Sequence, residues 1–119
     1  LGPNGPDLNN HRVAWLLTAF KKGTWLSSIV PDGNYSGIDP ATLFGSSFPP
    51  TYFLHGAADT LVDVEFSRRA FEELKSNGID TKLVVEEGAP HGFDAGSKPG
   101  ERKYELVTAG FKFLASRAT

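Results

Sequence analysis

Residues 51–94 read TYFLHGAADTLVDVEFSRRAFEELKSNGIDTKLVVEEGAPHGFD. The run at 51–54 is short, apolar and rich in residues that suit a pleated surface, and His55-Gly56 closes it. It reads as a buried strand. Asp63 stands where a helix cap belongs, and the helix is expected over about 64–77. Val64, Ser67, Phe71 and Leu74 share one face with Ala70 beside them, while Arg68, Arg69, Glu72, Glu73 and Lys75 fall on the solvent side. Asn77-Gly78 ends that helix. The run TKLVV at 81–85 is the next strand, and 88–100 is a Gly/Pro-rich loop that holds His91.

Beyond this loop a last helix is expected over roughly 101–116, with Tyr104, Val107, Phe111 and Leu114 on its inner face. The order strand, helix, strand, helix with short connections implies parallel strands joined by a right-handed crossover, an α/β architecture. Upstream, Asn9 or Asn10 caps a helix over roughly 11–22, whose Val13, Leu16, Leu17 and Phe20 make an apolar face widened by Trp15 and Ala19. Lys21, Lys22 and Gly23 suit its C-terminal end. Residues 24–50 are punctuated by glycine and proline and read as irregular, with a short helix at Asp39-Pro40-Ala41. The chain therefore divides into an irregular segment at 1–50 with an N-terminal helix and a strand–helix–strand–helix unit at 51–119. Two strands do not make a stable parallel sheet with covered faces. The composition of 24–50 offers no further strand, so the sheet is expected to be completed by another polypeptide.

The chain has 119 residues, 39% apolar and 22% charged, with a net charge of -2, which describes a soluble globular protein. No basic tract suggests a nucleic-acid partner, and no apolar run approaches a membrane span. Cysteine is absent, which excludes disulfides and thiolate chemistry but leaves a cytoplasmic or a secreted location equally open. Methionine is absent too, and the opening Leu1-Gly2-Pro3-Asn4-Gly5-Pro6 lacks the features of a signal peptide. Trimming of the terminus accounts for this opening, as does origin in a longer chain.

In parallel α/β proteins ligands bind beyond the C-terminal ends of the strands. Two loops lie there, 55–63 and 86–100. The first holds Asp59 and Asp63, and the second holds His91. Neighbouring strands would bring Asp59 and His91 together. A carboxylate accepting from one imidazole nitrogen fixes the tautomer and leaves the other nitrogen free to take a proton from a nucleophile. The plainer reading is an Asx-turn at Asp59 and a loop histidine donating to a carbonyl. No HExxH or other metal motif competes, and no cofactor is called for.

The stretch 55–94 resembles the C-terminal portion of the α/β-hydrolase family, nearest the carboxylesterases and lipases similar to hormone-sensitive lipase and the related prolyl-peptidase-like hydrolases. There a strand ends in HG, a loop with the pattern GxxDxxV carries an acid, and a later glycine-containing loop carries HGF or HxF. The resemblance covers about 50–115 and implies that Asp59 is the catalytic acid and His91 the catalytic base. Asp63, where many members have proline, is then a helix cap. The family's GxSxG elbow is missing from this chain. Ser46 and Ser47 lack the second glycine and a preceding strand, Ser27-Ser28 lacks glycine on either side, and Ser97 follows the histidine. The resemblance thus implies a carboxylic ester hydrolase whose serine sits on a missing part of the chain, the partner expected to complete the sheet, with a small ester as substrate. A non-catalytic module of the same fold, or a peptidase, remains the alternative. Trp15, Phe20, Trp25 and Phe44 are candidates for contact with a substrate pocket or lid, against the plainer reading of core packing.

Overall fold

The computed structural model describes residues 7–118. The chain forms two compact units, Leu1–Thr42 and Leu43–Thr119. In the first, α1 spans His11–Lys22. The Asn10 side chain accepts from the N–H groups of Arg12 and Val13, and Gly23 closes the other end in the left-handed conformation. Ala19 is its buried residue, and the rings of Phe20 and Trp25 meet at 5.2 Å. A short helix α2, Trp25–Ile29, follows in a region that reads as irregular from composition. Single 3₁₀ turns occupy Tyr35–Gly37 and Pro40–Leu43. The second begins at the expected cap, where the Asp39 carboxylate accepts from the Ala41 N–H at 2.9 Å. Among the described residues, 24–50 contains no strand.

The second unit is built on β1, Thr51–Gly56, and β2, Thr81–Glu86. They pair in parallel, in register from Thr51 opposite Thr81 to Gly56 opposite Glu86. Strand β1 thus runs on through His55 and Gly56 instead of stopping at Leu54, because both residues stay in the ladder. Between the strands lies α3, Val64–Ser76, capped by the Asp63 carboxylate on the Glu65 N–H. Its apolar stripe lies inward as the spacing requires: Leu74 is wholly buried, Val64, Ser67, Ala70 and Phe71 are half-buried, and the five charged positions are exposed.

Successive strand residues point to opposite sides. Tyr52 meets α4, Arg102–Ala115, donating its hydroxyl to the Leu106 carbonyl at 3.2 Å, whereas His55 meets Ser67 of α3. The two helices therefore cover opposite faces of the sheet.

The inner face of α4 differs from the expected one. Val107 is half-buried, but Tyr104, Phe111 and Leu114 are exposed, Phe111 by 70%. Leu106, Gly110 and Phe113 meet the sheet instead. The cause is Gly110. A Cβ there would lie 3.0 Å from the Tyr52 ring, tighter than ordinary contact, so the ring lies closest to α4 where a side chain is missing. Apolar residues surround most of this helix, and periodicity alone does not select among its faces. No helix among the described residues is long and apolar enough to cross a membrane.

Candidate active site

Two loops leave the C-terminal ends of β1 and β2 and are stitched together by backbone. The Ala57 N–H donates to the Glu86 carbonyl at 2.9 Å, and the Ala58 N–H to the Ala89 carbonyl at 3.0 Å. This approach requires Gly56, because a Cβ at that position would fall 2.2 Å from the Ala89 oxygen. Pro90 and Gly92 flank His91, and Gly92 has φ 65°, a conformation natural to glycine. The tight setting of the histidine follows: the loop turns sharply beside the β1 loop and presents the imidazole there. At the base of the same loop, Arg102 donates two hydrogen bonds to Glu86, at 2.6 and 2.9 Å, tying the start of α4 to the end of β2.

Asp59 and His91 come together. Asp59 Oδ2 accepts from His91 Nδ1 at 2.8 Å, and Asp59 Oδ1 accepts from the Leu61 and Val62 N–H groups, each at 2.9 Å. The Asp59 side chain is 5% exposed and the His91 side chain 48% exposed. Burial pushes the Asp59 carboxyl upward, but the Val62 N–H, the His91 imidazole and the Leu61 N–H outweigh it and hold the pKa down to about 2. An ionised carboxylate only accepts, so His91 Nδ1 carries the proton. In the neutral ring Nε2 is then a bare acceptor, and it has no hydrogen-bond partner among the described residues. Asp59 is also an Asx-turn, so the plainer reading and the functional one coexist at that residue. His91 donates to the carboxylate and not to a carbonyl.

Asp63 stays apart from this pair and caps α3. Ser46, Ser47 and Ser97 make no hydrogen bond to His91. A shallow cavity of about 290 Å³ opens beside the pair, lined by Leu54, Val62, Phe93 and Asp94 among others. No group of three or more histidines and acids among the described residues could hold a metal ion.

From sequence, His55 could be set with His91 and an aspartate only as a metal group, and its role beside the pair was missed. Its Nε2 lies 3.0 Å from the Val62 carbonyl and 3.3 Å from Asp59 Oδ2, and its Nδ1 lies 2.7 Å from Ser67 Oγ. A signal existed, because Ser67 is a hydroxyl set in the otherwise apolar stripe of α3.

Known proteins with this likeness fall into two groups. The esterase 2 of the Planctomycetes species Thermogutta terrifontis, solved with propionate bound, superposes with a TM-score of 0.59 at 30% identity over 66% of this chain and 29% of that one. Its paraoxon-phosphorylated form gives the same score over 31% of that chain. The fold is that of the C-terminal part of an α/β-hydrolase. In sequence, the hydrolase-like chain is 36% identical over 69 residues to the non-reducing polyketide synthase prhL of Penicillium brasilianum. That match takes in 56% of this chain and 3% of that protein. It is 35% identical over 65 residues to the 5-methylorsellinic acid synthase of Aspergillus terreus, 55% of this chain and 2% of that one. The chain thus spans a small part of the curated relatives it matches. No protein-family model matches it.

Proposed function

We propose that this chain supplies the acid and the base of a carboxylic ester hydrolase of the hormone-sensitive-lipase-like branch, with Asp59 the orienting carboxylate and His91 the base. The observation that carries the reading is the 2.8 Å contact between a buried, ionised Asp59 and His91 Nδ1, made at the C-terminal ends of adjacent parallel strands. Thermogutta terrifontis esterase 2, captured with propionate and with butyrate, supports a short acyl ester as substrate.

The nucleophile in this reading is a serine on a further stretch of polypeptide, which also extends the two-stranded sheet. Its Oγ attacks the ester carbonyl and its proton passes to His91 Nε2. The imidazolium so formed is stabilised by Asp59 across Nδ1. His91 then returns the proton to the departing alkoxide, and the acyl group stays on the serine. Water, deprotonated by the same nitrogen, releases the acid and restores the serine.

A second reading is favoured by the identity with polyketide synthases: the same pair would serve cleavage of a polyketide acyl ester or thioester, with unchanged roles for Asp59 and His91. The test is turnover of a short activated ester and of an acyl thioester by the chain joined to a GxSxG-bearing polypeptide of this fold. Loss of turnover with His91→Ala supports the reading. Turnover indifferent to His91, or absence of turnover with both substrates and the serine in place, overturns it in favour of a binding module or a peptidase.

A further inference from the structure

We infer that His55 is a positioning residue, held by Ser67, that locks the Asp59 loop in the conformation presented to His91. This rests on the reading of Asp59 and His91 just given. His55 lies in β1, and its ring points away from the Tyr52 side of the sheet toward α3.

Its tautomer follows from its partners. The Val62 carbonyl only accepts, so the Nε2 at 3.0 Å from it is the protonated nitrogen. Nδ1 is then bare, and the Ser67 hydroxyl donates to it at 2.7 Å. The same Nε2–H lies 3.3 Å from Asp59 Oδ2, the oxygen that accepts from His91. One imidazole thus joins three elements: the strand that carries it, the first helix turns after the loop, and the carbonyl of a residue whose own N–H binds Asp59 Oδ1. Its side chain is 11% exposed, so water competes little for these bonds. Asp59 is held by backbone on Oδ1 and by His91 on Oδ2, and the His55 ring, bonded to the Val62 carbonyl, stands against the same Oδ2. The loop between Gly56 and Asp63 is tied to the β2 side through the Ala57 and Ala58 N–H groups, and beyond them the His55 contact with the Val62 carbonyl helps set where the carboxylate stands.

Ser67 makes this specific. A hydroxyl on the buried stripe of α3 costs core packing, and its role is to fix the ring that fixes the loop. His55→Gln keeps an N–H near the Nε2 position and loses the Ser67 bond, whereas His55→Ala loses both.

Hydrogen exchange of the chain joined to the GxSxG-bearing polypeptide reads the inference without any activity. In His55→Ala the Leu61 and Val62 amides are expected to exchange roughly tenfold faster or more, while β1 and β2 amides keep their protection. The His91 Nδ1–H proton resonance, shifted downfield by its carboxylate, is expected to broaden or vanish. His55→Gln restores most of both, and Ser67→Ala lies between. Unchanged Leu61 and Val62 amides in His55→Ala overturn the inference. So does uniform loss of protection across the strands, which marks a merely structural residue, and so do unprotected loop amides in the parent chain. Failure of the hydrolase reading looks different: Asp59→Asn and His91→Ala leave turnover of the joined protein unchanged, while His55→Ala still frees the loop.

Discussion

Asp59 serves the loop and the histidine with different oxygens, so its two duties separate by substitution. Asp59→Asn keeps an oxygen for the Leu61 and Val62 N–H groups but turns an amide toward His91 Nδ1, which forces the wrong tautomer. Turnover of the joined protein is expected to fall by roughly 10⁴-fold while the fold is retained. Asp63→Asn is expected to be nearly silent, since asparagine caps a helix about as well as aspartate. Steady-state kinetics of the two variants rank the acids, and a crippled Asp63→Asn beside a mild Asp59→Asn reverses the assignment. The same carboxyl also gives a pH signature. Its pKa is lowered from the ordinary 3.8 to about 2, so its stabilising contribution is present in full above the unfolded value and is lost as pH falls through the folded one. The difference in unfolding free energy between parent and Asp59→Asn is expected to be flat above about pH 4 and to close toward pH 2. A gap that persists unchanged at pH 2 means that the carboxylate is not the partner that holds this loop.

The elements were legible where a local rule and the packing agree. Asn10, Gly23 and Asp63 sit at helix ends because capping is a property of a few adjacent residues, and the α3 stripe lies inward because its polar side is strongly charged. The approach of Asp59 to His91 was legible because parallel strands place consecutive C-terminal loops side by side. The face of α4 was not, because Gly110 acts by omission: its effect shows only when Tyr52 lies against it. His55 was hidden for a related reason, since a strand-end histidine reveals a role only through the hydroxyl it meets on another element. The other deciding glycine, Gly56, gives the element-scale prediction. In Gly56→Ala the new methyl meets the Ala89 carbonyl at 2.2 Å, and neither partner is a flexible side-chain end. The β1 and β2 loops must separate, breaking the Ala58-to-Ala89 bond and moving Asp59 from His91. A stability loss of roughly 1–3 kcal/mol in urea, the usual range for overpacking, is expected together with loss of turnover. A variant as stable and as active as the parent means that the loops approach each other in some other way.

At the scale of the molecule, the Leu43–Thr119 unit carries a sheet of two parallel strands and very little closed core. Leu74 and Ala89 are the buried apolar side chains of this unit among the described residues, while Leu61, Phe66, Phe111 and Leu114 are exposed. Tyr52, Leu54, Val107, Phe111 and Leu114 line one shallow apolar depression between β1 and α4. Parallel sheets are ordinarily covered on both faces and extended beyond two strands. Apolar surface of this extent on a small unit is what a polypeptide completing the sheet, or other copies of the same chain, would cover. The 119-residue chain by itself is therefore expected to self-associate and to bind an apolar dye such as ANS. Placing charge in the depression, as in Leu114→Lys, is expected to reduce both without altering the Asp59–His91 contact, because Leu114 sits at the C-terminal end of α4, whereas the start of that helix is the end tied to β2 through Arg102 and Glu86. Sedimentation velocity across a concentration series makes the measurement. A chain that sediments as a monomer at every concentration, melts sharply and binds no dye contradicts the need for a completed sheet. The serine would then have to be sought within the 119 residues, where no GxSxG is present.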